Sequence, residues 1–158
     1  MEVERIYISQ GKGEGHTPKS AFDDALYDAG LGNLNLISVS SIIPPGVEIE
    51  TNRKLMPKWP VGSFVHAVIG VSTAKKGDKT GIALGWAIAE EGGIIMEQEG
   101  HMCSKTADMA VKIALEEMKT RRSWNWIGDS TTISIEIKPS QPWGSVVVAA
   151  VYKIQESD

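Results

Sequence analysis

Two adjacent serines, Ser40 and Ser41, stand between an alternating, β-branched run, Leu34-Asn35-Leu36-Ile37-Ser38-Val39, and a rigid Pro44-Pro45-Gly46 corner. A serine hydroxyl normally needs a neighbouring base to act as a nucleophile, but a constrained backbone offers it a second target, the carbonyl next door. Attack of Ser41 Oγ on the carbonyl of residue 40 shifts the peptide link to an ester. β-Elimination and hydrolysis then leave a pyruvoyl group at position 41, and the chain makes its own electrophile. Read without context, the same pair is two surface hydroxyls beside a turn.

Other residues of chemical interest surround this pair in the sequence. Ile95, Glu97 and Glu99 alternate onto one face of a strand, so a carboxylate follows an apolar neighbour in a packed sheet. A carboxyl partly desolvated there keeps its proton to higher pH and can act as a general acid. Asn35 is an even number of residues from Ser41 and shares its face if the strand stays regular. Its amide could hydrogen-bond a developing oxyanion or a substrate carboxylate, or simply satisfy a nearby backbone group. Asp23 and Asp24 lie near a helix N-terminus, which favours carboxylates. Adjacent helical side chains point about 100° apart, so at most one faces a given pocket.

Three further features are assigned no chemistry. Cys103 has no activating base in sequence and reads as a packing residue. His66 sits alone on a mostly apolar strand. Gly11-Lys12-Gly13-Glu14-Gly15 lacks the Gly-Lys-Ser/Thr ending of a phosphate loop and the spacing of a dinucleotide fingerprint, and reads as a flexible loop near the active site.

The elements that must position these residues follow from periodicity. Residues 3–9 alternate as a strand, and 10–16 form the glycine-rich loop. Thr17-Pro18 caps a helix carrying Phe22, Ala25, Leu26 and Ala29 at helical spacing until Gly30. Residues 33–43 form the serine-bearing strand, and 48–60 an extended connection. Residues 62–73 are a strand, and 82–89 with 93–99 a hairpin across Glu90-Glu91-Gly92. Ser104 caps a second, core-packing helix to about residue 119. Trp124-Asn125-Trp126 covers the core at the next turn, and 131–138 with 144–154 close the chain as a hairpin. This pattern is α+β with mainly antiparallel sheets. One packing solution sets two sheets face to face with a helix outside each, a four-layer α/β/β/α sandwich.

At 158 residues the chain fits one domain, spanning 1–158. Apolar content of 42% with 23% charged residues is ordinary for a globular protein and gives no sign of disorder. A formal charge of -4 and scattered basic pairs argue against a nucleic-acid partner. The lone cysteine provides neither a disulfide nor a cysteine-based metal framework. Met1-Glu2-Val3-Glu4-Arg5 lacks the basic and apolar regions of a signal peptide, and no apolar run is long enough to span a bilayer. The expectation is a cytoplasmic protein with no membrane partner.

The segment from Gly30 through Asn35, Ser40 and Ser41 to Pro45, preceded by Ala21-Phe22-Asp23 and followed by Gly93-Ile94-Ile95-Met96-Glu97-Gln98-Glu99-Gly100, closely resembles the archaeal pyruvoyl-dependent arginine decarboxylases. The similarity covers residues 11–153, and its specific part is Asn-x-x-x-x-Ser-Ser-Ile-x-Pro-Pro. The resemblance implies the four-layer fold and autocatalytic serinolysis between Ser40 and Ser41, giving chains 1–40 and 41–158. It implies a covalent pyruvoyl group derived from Ser41 and decarboxylation of L-arginine through a Schiff base to agmatine and CO2, with agmatine feeding polyamine synthesis. It assigns the general acid to Glu97 with Glu99 as the fallback, a catalytic role to Asn35, and binding of the substrate guanidinium to Asp23, while Asp24 stands where a smaller residue is expected. No metal or diffusible cofactor is needed. It also implies a homotrimer, or a dimer of trimers, with sites between protomers. Two rivals share these features in part: a pyruvoyl decarboxylase of another amino acid, and an unprocessed, non-enzymatic paralogue.

Overall fold

The computed structural model describes residues 2–156. In chain order it contains β1 (Val3–Gly15), α1 (Pro18–Asp28), β2 (Asn35–Ser38), β3 (Ile42–Ile43), β4 (Glu48–Glu50), a 3-10 turn (Arg53–Leu55), β5 (Phe64–Lys75), β6 (Thr80–Ala89), β7 (Gly92–His101), α2 (Ser104–Thr120), β8 (Trp126–Ile137) and β9 (Trp143–Ile154). A five-stranded sheet runs β2-β5-β9-β1-β4, and a four-stranded sheet runs β3-β7-β6-β8. Pairing is antiparallel except where β1 meets β4 and β2 meets β5.

The central strands explain the layering. β9 is buried from Gly144 to Tyr152, as a strand covered on both faces must be. Its Val146, Val148, Ala150 and Tyr152 meet Ile6, Ile8, Val68, Ile82, Leu84 and Ile95 between the sheets. Its Val147, Ala149 and Val151 meet Ala25 of α1 and Ala29 at the C-cap of that helix on the other face. On the smaller sheet, Ala83 and Ala87 of β6 pack against Ala107, Val111 and Leu115 of α2. Each fully buried Val, Leu or Ile side chain contributes about 1.5–3 kcal/mol. The result is the α/β/β/α sandwich.

Four expectations are corrected. Residues 10–15 are not a loop: they continue β1, and their glycines form a smooth track for α1. A Cβ at Gly11 or Gly13 would lie 2.3 Å from the Ala25 backbone, so only glycine lets helix and strand approach this closely. Residues 33–43 are not one strand but two short ones in different sheets. The closing strands β8 and β9 are not a hairpin, since β8 pairs with β6 and β9 with β1 and β5. Cys103, rather than Ser104, holds the cap position of α2, and the Ser104 hydroxyl donates to Glu136 at 2.7 Å.

The connection at 48–60 is more ordered than its proline content suggests, because β4 pairs in parallel with β1 and Glu48 bonds Arg5 at 2.7 Å. Helix α1 begins as expected, with Thr17 Oγ1 accepting from the Ser20 amide at 3.1 Å and Pro18 opening the first turn. No helix among the described residues is long and apolar enough to cross a membrane.

Candidate active site

The split between β2 and β3 places the serine pair where the chain crosses from one sheet to the other. The last hydrogen bond to the larger sheet is Val39 N to Ala67 O, 3.0 Å, and the first to the smaller sheet is Ile95 N to Ser41 O, 2.9 Å. Between them the Ser40 carbonyl and the Ser41 amide make no backbone hydrogen bond among the described residues. Directly after β3 the Pro44-Pro45-Gly46 corner, with Gly46 at φ +76°, returns the chain to β4 in the larger sheet. Among the described residues the Ser40–Ser41 peptide link is therefore held on both sides and bonded to neither ladder.

Beside it stands Glu97. β7 presents Ile95 to the inter-sheet core and, two residues on, Glu97 on the same face. The Glu97 side chain crosses toward β5 and rests over Gly70, where a Cβ would come within 2.5 Å of Glu97 Cγ. Burial pushes the Glu97 carboxyl above the usual carboxylate range, and the charge of Glu99 pushes the same way. Ser40, Ser41 and Glu97 line one cleft of about 290 Å³ with Val39, Met96 and Met118. The two methionines carried no chemical signal in the sequence. Met118 reads there as one more apolar position of a core helix.

The fallback acid Glu99 is exposed, accepts from the Val71 amide at 3.4 Å and does not line this cleft. Cys103 lies outside the cleft too, with its sulfur 3.1 Å from Thr106 Oγ1, a contact that lowers the thiol pKa. His66 lies on β5, directly opposite Tyr152 of β9. Tyr152, unmarked by any sequence motif, donates its hydroxyl to the Ile42 carbonyl at 2.9 Å.

Asn35 and Asp23 are not brought to the cleft within one chain. β2 ends at Ser38, so the alternation expected from Asn35 to Ser41 is interrupted. Six extended residues span about 20 Å. The Asn35 side chain donates to Gly62 O at 2.9 Å, and its own amide to Ser63 O. The aspartate pair on α1 divides as helix geometry requires. Asp24 accepts from the Glu14 amide at 3.0 Å, and one turn on Asp28 accepts from the Lys12 amide at 2.9 Å, so these carboxylates cover the β1 edge beyond its pairing with β4. Asp23 is exposed, and its carboxylate makes no hydrogen bond or ion pair among the described residues. It projects from a helix layered on the larger sheet, whereas the Ser41 carbonyl and Glu97 belong to the smaller one.

Comparison with known proteins assigns this arrangement to a family. The model of a family described as pyruvoyl-dependent arginine decarboxylase matches residues 5–157. Three relatives bear that same name. The protein from Methanocaldococcus jannaschii is 38% identical over 123 residues, 75% of this chain and 72% of the relative. Those from Thermococcus kodakarensis and Methanopyrus kandleri are 32% and 33% identical, over 94% and 96% of this chain and 94% and 99% of theirs. With its serine pair at the sheet crossing, a half-buried carboxyl beside it and a match over nearly its whole length, the chain belongs to the pyruvoyl-dependent arginine decarboxylase family.

Proposed function

We propose that the chain cuts itself between Ser40 and Ser41 and then decarboxylates L-arginine to agmatine and CO2. The observation that carries this reading is the unladdered Ser40–Ser41 link lying in one cleft with Glu97. In the cut, Ser41 Oγ bonds to the Ser40 carbonyl carbon, the bond from that carbon to Ser41 N breaks, and the hydroxyl proton passes to the freed nitrogen. Loss of the Ser41 α-proton and cleavage of Cβ–Oγ release the Ser40 carboxylate. Water then replaces the nitrogen, which departs as ammonia, and the chain consists of residues 1–40 and 41–158.

The residues present fit a pyruvoyl group at position 41: the carbonyl of residue 41 stays pinned to Ile95 N, and the cleft opens beside it. When present, that group supplies a ketone for the substrate amine and an electron sink for the departing CO2. Glu97, kept protonated by its surroundings, delivers a proton to the carbon that loses CO2. Met96 and Met118 narrow the cleft and limit water.

Asp23 pairs with the substrate guanidinium, a geometry in which a carboxylate makes two parallel hydrogen bonds. Its position on the far layer of its own chain supports a site completed by a second copy, as in a homotrimer or a dimer of trimers, with Asn35 contributed in the same way. A single unpaired cysteine fits a reducing cytoplasm.

Intact mass under denaturing conditions tests the cut. The protein resolves into two chains divided between residues 40 and 41, the larger one blocked at its amino terminus and reactive toward carbonyl reagents, while Ser41→Ala stays whole. A single full-length mass after prolonged incubation would refute the proposal. A panel of amino acids assayed for CO2 release then tests arginine against other cationic substrates.

A further inference from the structure

The Ser40–Ser41 link makes no backbone hydrogen bond among the described residues, but its flanks are pinned by Val39 N to Ala67 O, Ile95 N to Ser41 O, and Tyr152 Oη to Ile42 O. The first two are backbone bonds that almost any sequence could make. The third is a side-chain bond, reaching from β9 of the larger sheet across the sandwich to β3 of the smaller. β3 is only two residues long, and so short a ladder holds its strand weakly.

Tyr152 is well placed to supply the missing hold. It is 7% exposed and belongs to the inter-sheet core cluster that also holds Ile6, Ile43 and Ala150. Burial pushes its phenol up to about 12, so the hydroxyl keeps its proton and remains a donor at any working pH. The Ile42 carbonyl it grips is one residue beyond Ser41.

We propose that Tyr152 is a positioning residue for self-cleavage: by fixing the Ile42 carbonyl it holds the backbone on which Ser41 Oγ is kept against the Ser40 carbonyl carbon. The inference rests on the self-cleavage reading above. Tyr152 exchanges no proton in the reaction, because the Ser41 hydroxyl proton passes to the departing Ser41 nitrogen. The hydroxyl acts only by restricting the conformations from which attack begins.

The test follows the full chain, made by cell-free synthesis, as it divides with time, read by intact mass. Wild type, Tyr152→Phe, Tyr152→Met and Ile8→Val are compared. Phenylalanine keeps the ring, methionine fills the site without one, and Ile8→Val loosens the same inter-sheet core from β1 without touching the Ile42 bond. Thermal melts of the four, each also carrying Ser41→Ala so that it stays whole, match their stabilities. The expected result is that both hydroxyl-free variants divide about tenfold more slowly than wild type, the worth of roughly one hydrogen bond in the transition state, while Ile8→Val divides at the wild-type rate. Wild-type speed in either folded hydroxyl-free variant would overturn the proposal, as would equal slowing in Ile8→Val. A wild-type chain that never divides would overturn the self-cleavage reading itself, and the wild-type sample alone reports that failure.

Discussion

Glu97 and Gly70 face one another across the two sheets, and the carboxylate side chain occupies the space that any side chain at position 70 would need. A Cβ there would sit 2.5 Å from Glu97 Cγ and 2.8 Å from Ile82 Cδ1. Gly70→Ala therefore displaces the proposed acid without altering it chemically. A misplacement of about 1 Å can cost about 10²-fold in rate. We expect kcat to fall by about that factor, with KM for arginine little changed, in steady-state assays of the processed variant. Wild-type kcat would show that the seat of Glu97 is unimportant.

The raised pKa of Glu97 has a kinetic and a thermodynamic consequence of the same sign. As a proton donor it works only below its folded-state pKa, so kcat declines as pH rises through that value, and Glu97→Gln removes the decline together with most of the activity. Because the folded chain holds this proton more tightly than the unfolded one, stability also falls as pH rises from the ordinary 4.5 through the raised value. Glu97→Gln melts higher than its parent at pH 8 and loses that advantage in acid. Calorimetry across this range checks the sign.

Glu136 titrates in the opposite sense. The hydrogen bond from Lys79, at 2.6 Å, is the main cause that lowers its carboxyl to about 2, with Ser104 at the start of α2 adding to it. Its contribution is present above the ordinary 4.5 and disappears as pH falls toward 2. Glu136→Gln should lower the melting temperature at pH 7, and the two proteins should converge near pH 2.

Asp23 and Asp24 are adjacent but should fail differently. Asp23→Asn raises KM for arginine and leaves the melting temperature alone, since the Asp23 carboxylate has no partner among the described residues of its own chain. Asp24→Asn weakens the bond to Glu14 and lowers stability, with KM near wild type. Reversed phenotypes would exchange their assigned roles.

Gly13→Ala tests the helix seat. Its Cβ would meet Ala25 N at 2.3 Å and Asp24 Cβ at 2.6 Å, so α1 must lift from β1. Overpacking of this kind costs about 1–3 kcal/mol or more, which chemical denaturation of the Ser41→Ala precursor would measure.

Much of this was legible in the sequence because it was local. Thr17-Pro18 announced α1, and the alternation from Ile95 to Glu99 announced the face that carries Glu97. What stayed hidden depended on which sheet a strand joins. Gly11, Gly13 and Gly15 look like a loop until the backbone of Ala25 is known to lie against them. Residues 33–43 look like one strand because side-chain alternation does not record that the ladder partner changes from β5 to β7. Tyr152 and Ile42 are 110 residues apart, and no local pattern links them. Asn35 shows the same limit from the other direction: its parity with Ser41 is correct on paper, yet the strand carrying that parity stops at Ser38.

The crossing of the chain between sheets also governs what a cut molecule can do. Residues 2–40 contain β1, α1 and β2, while β1 pairs along its length with β9 and β2 with β5, both downstream of the cut. Severing residue 40 from 41 turns an intramolecular fold into a two-chain complex whose smaller member lies inside the larger sheet. Unfolding then becomes a dissociation, and refolding requires two chains to meet again. A precursor subunit can regain its fold from heat as a single chain, whereas each cut subunit must first reassemble from two and should recover its fold less completely the more dilute it is.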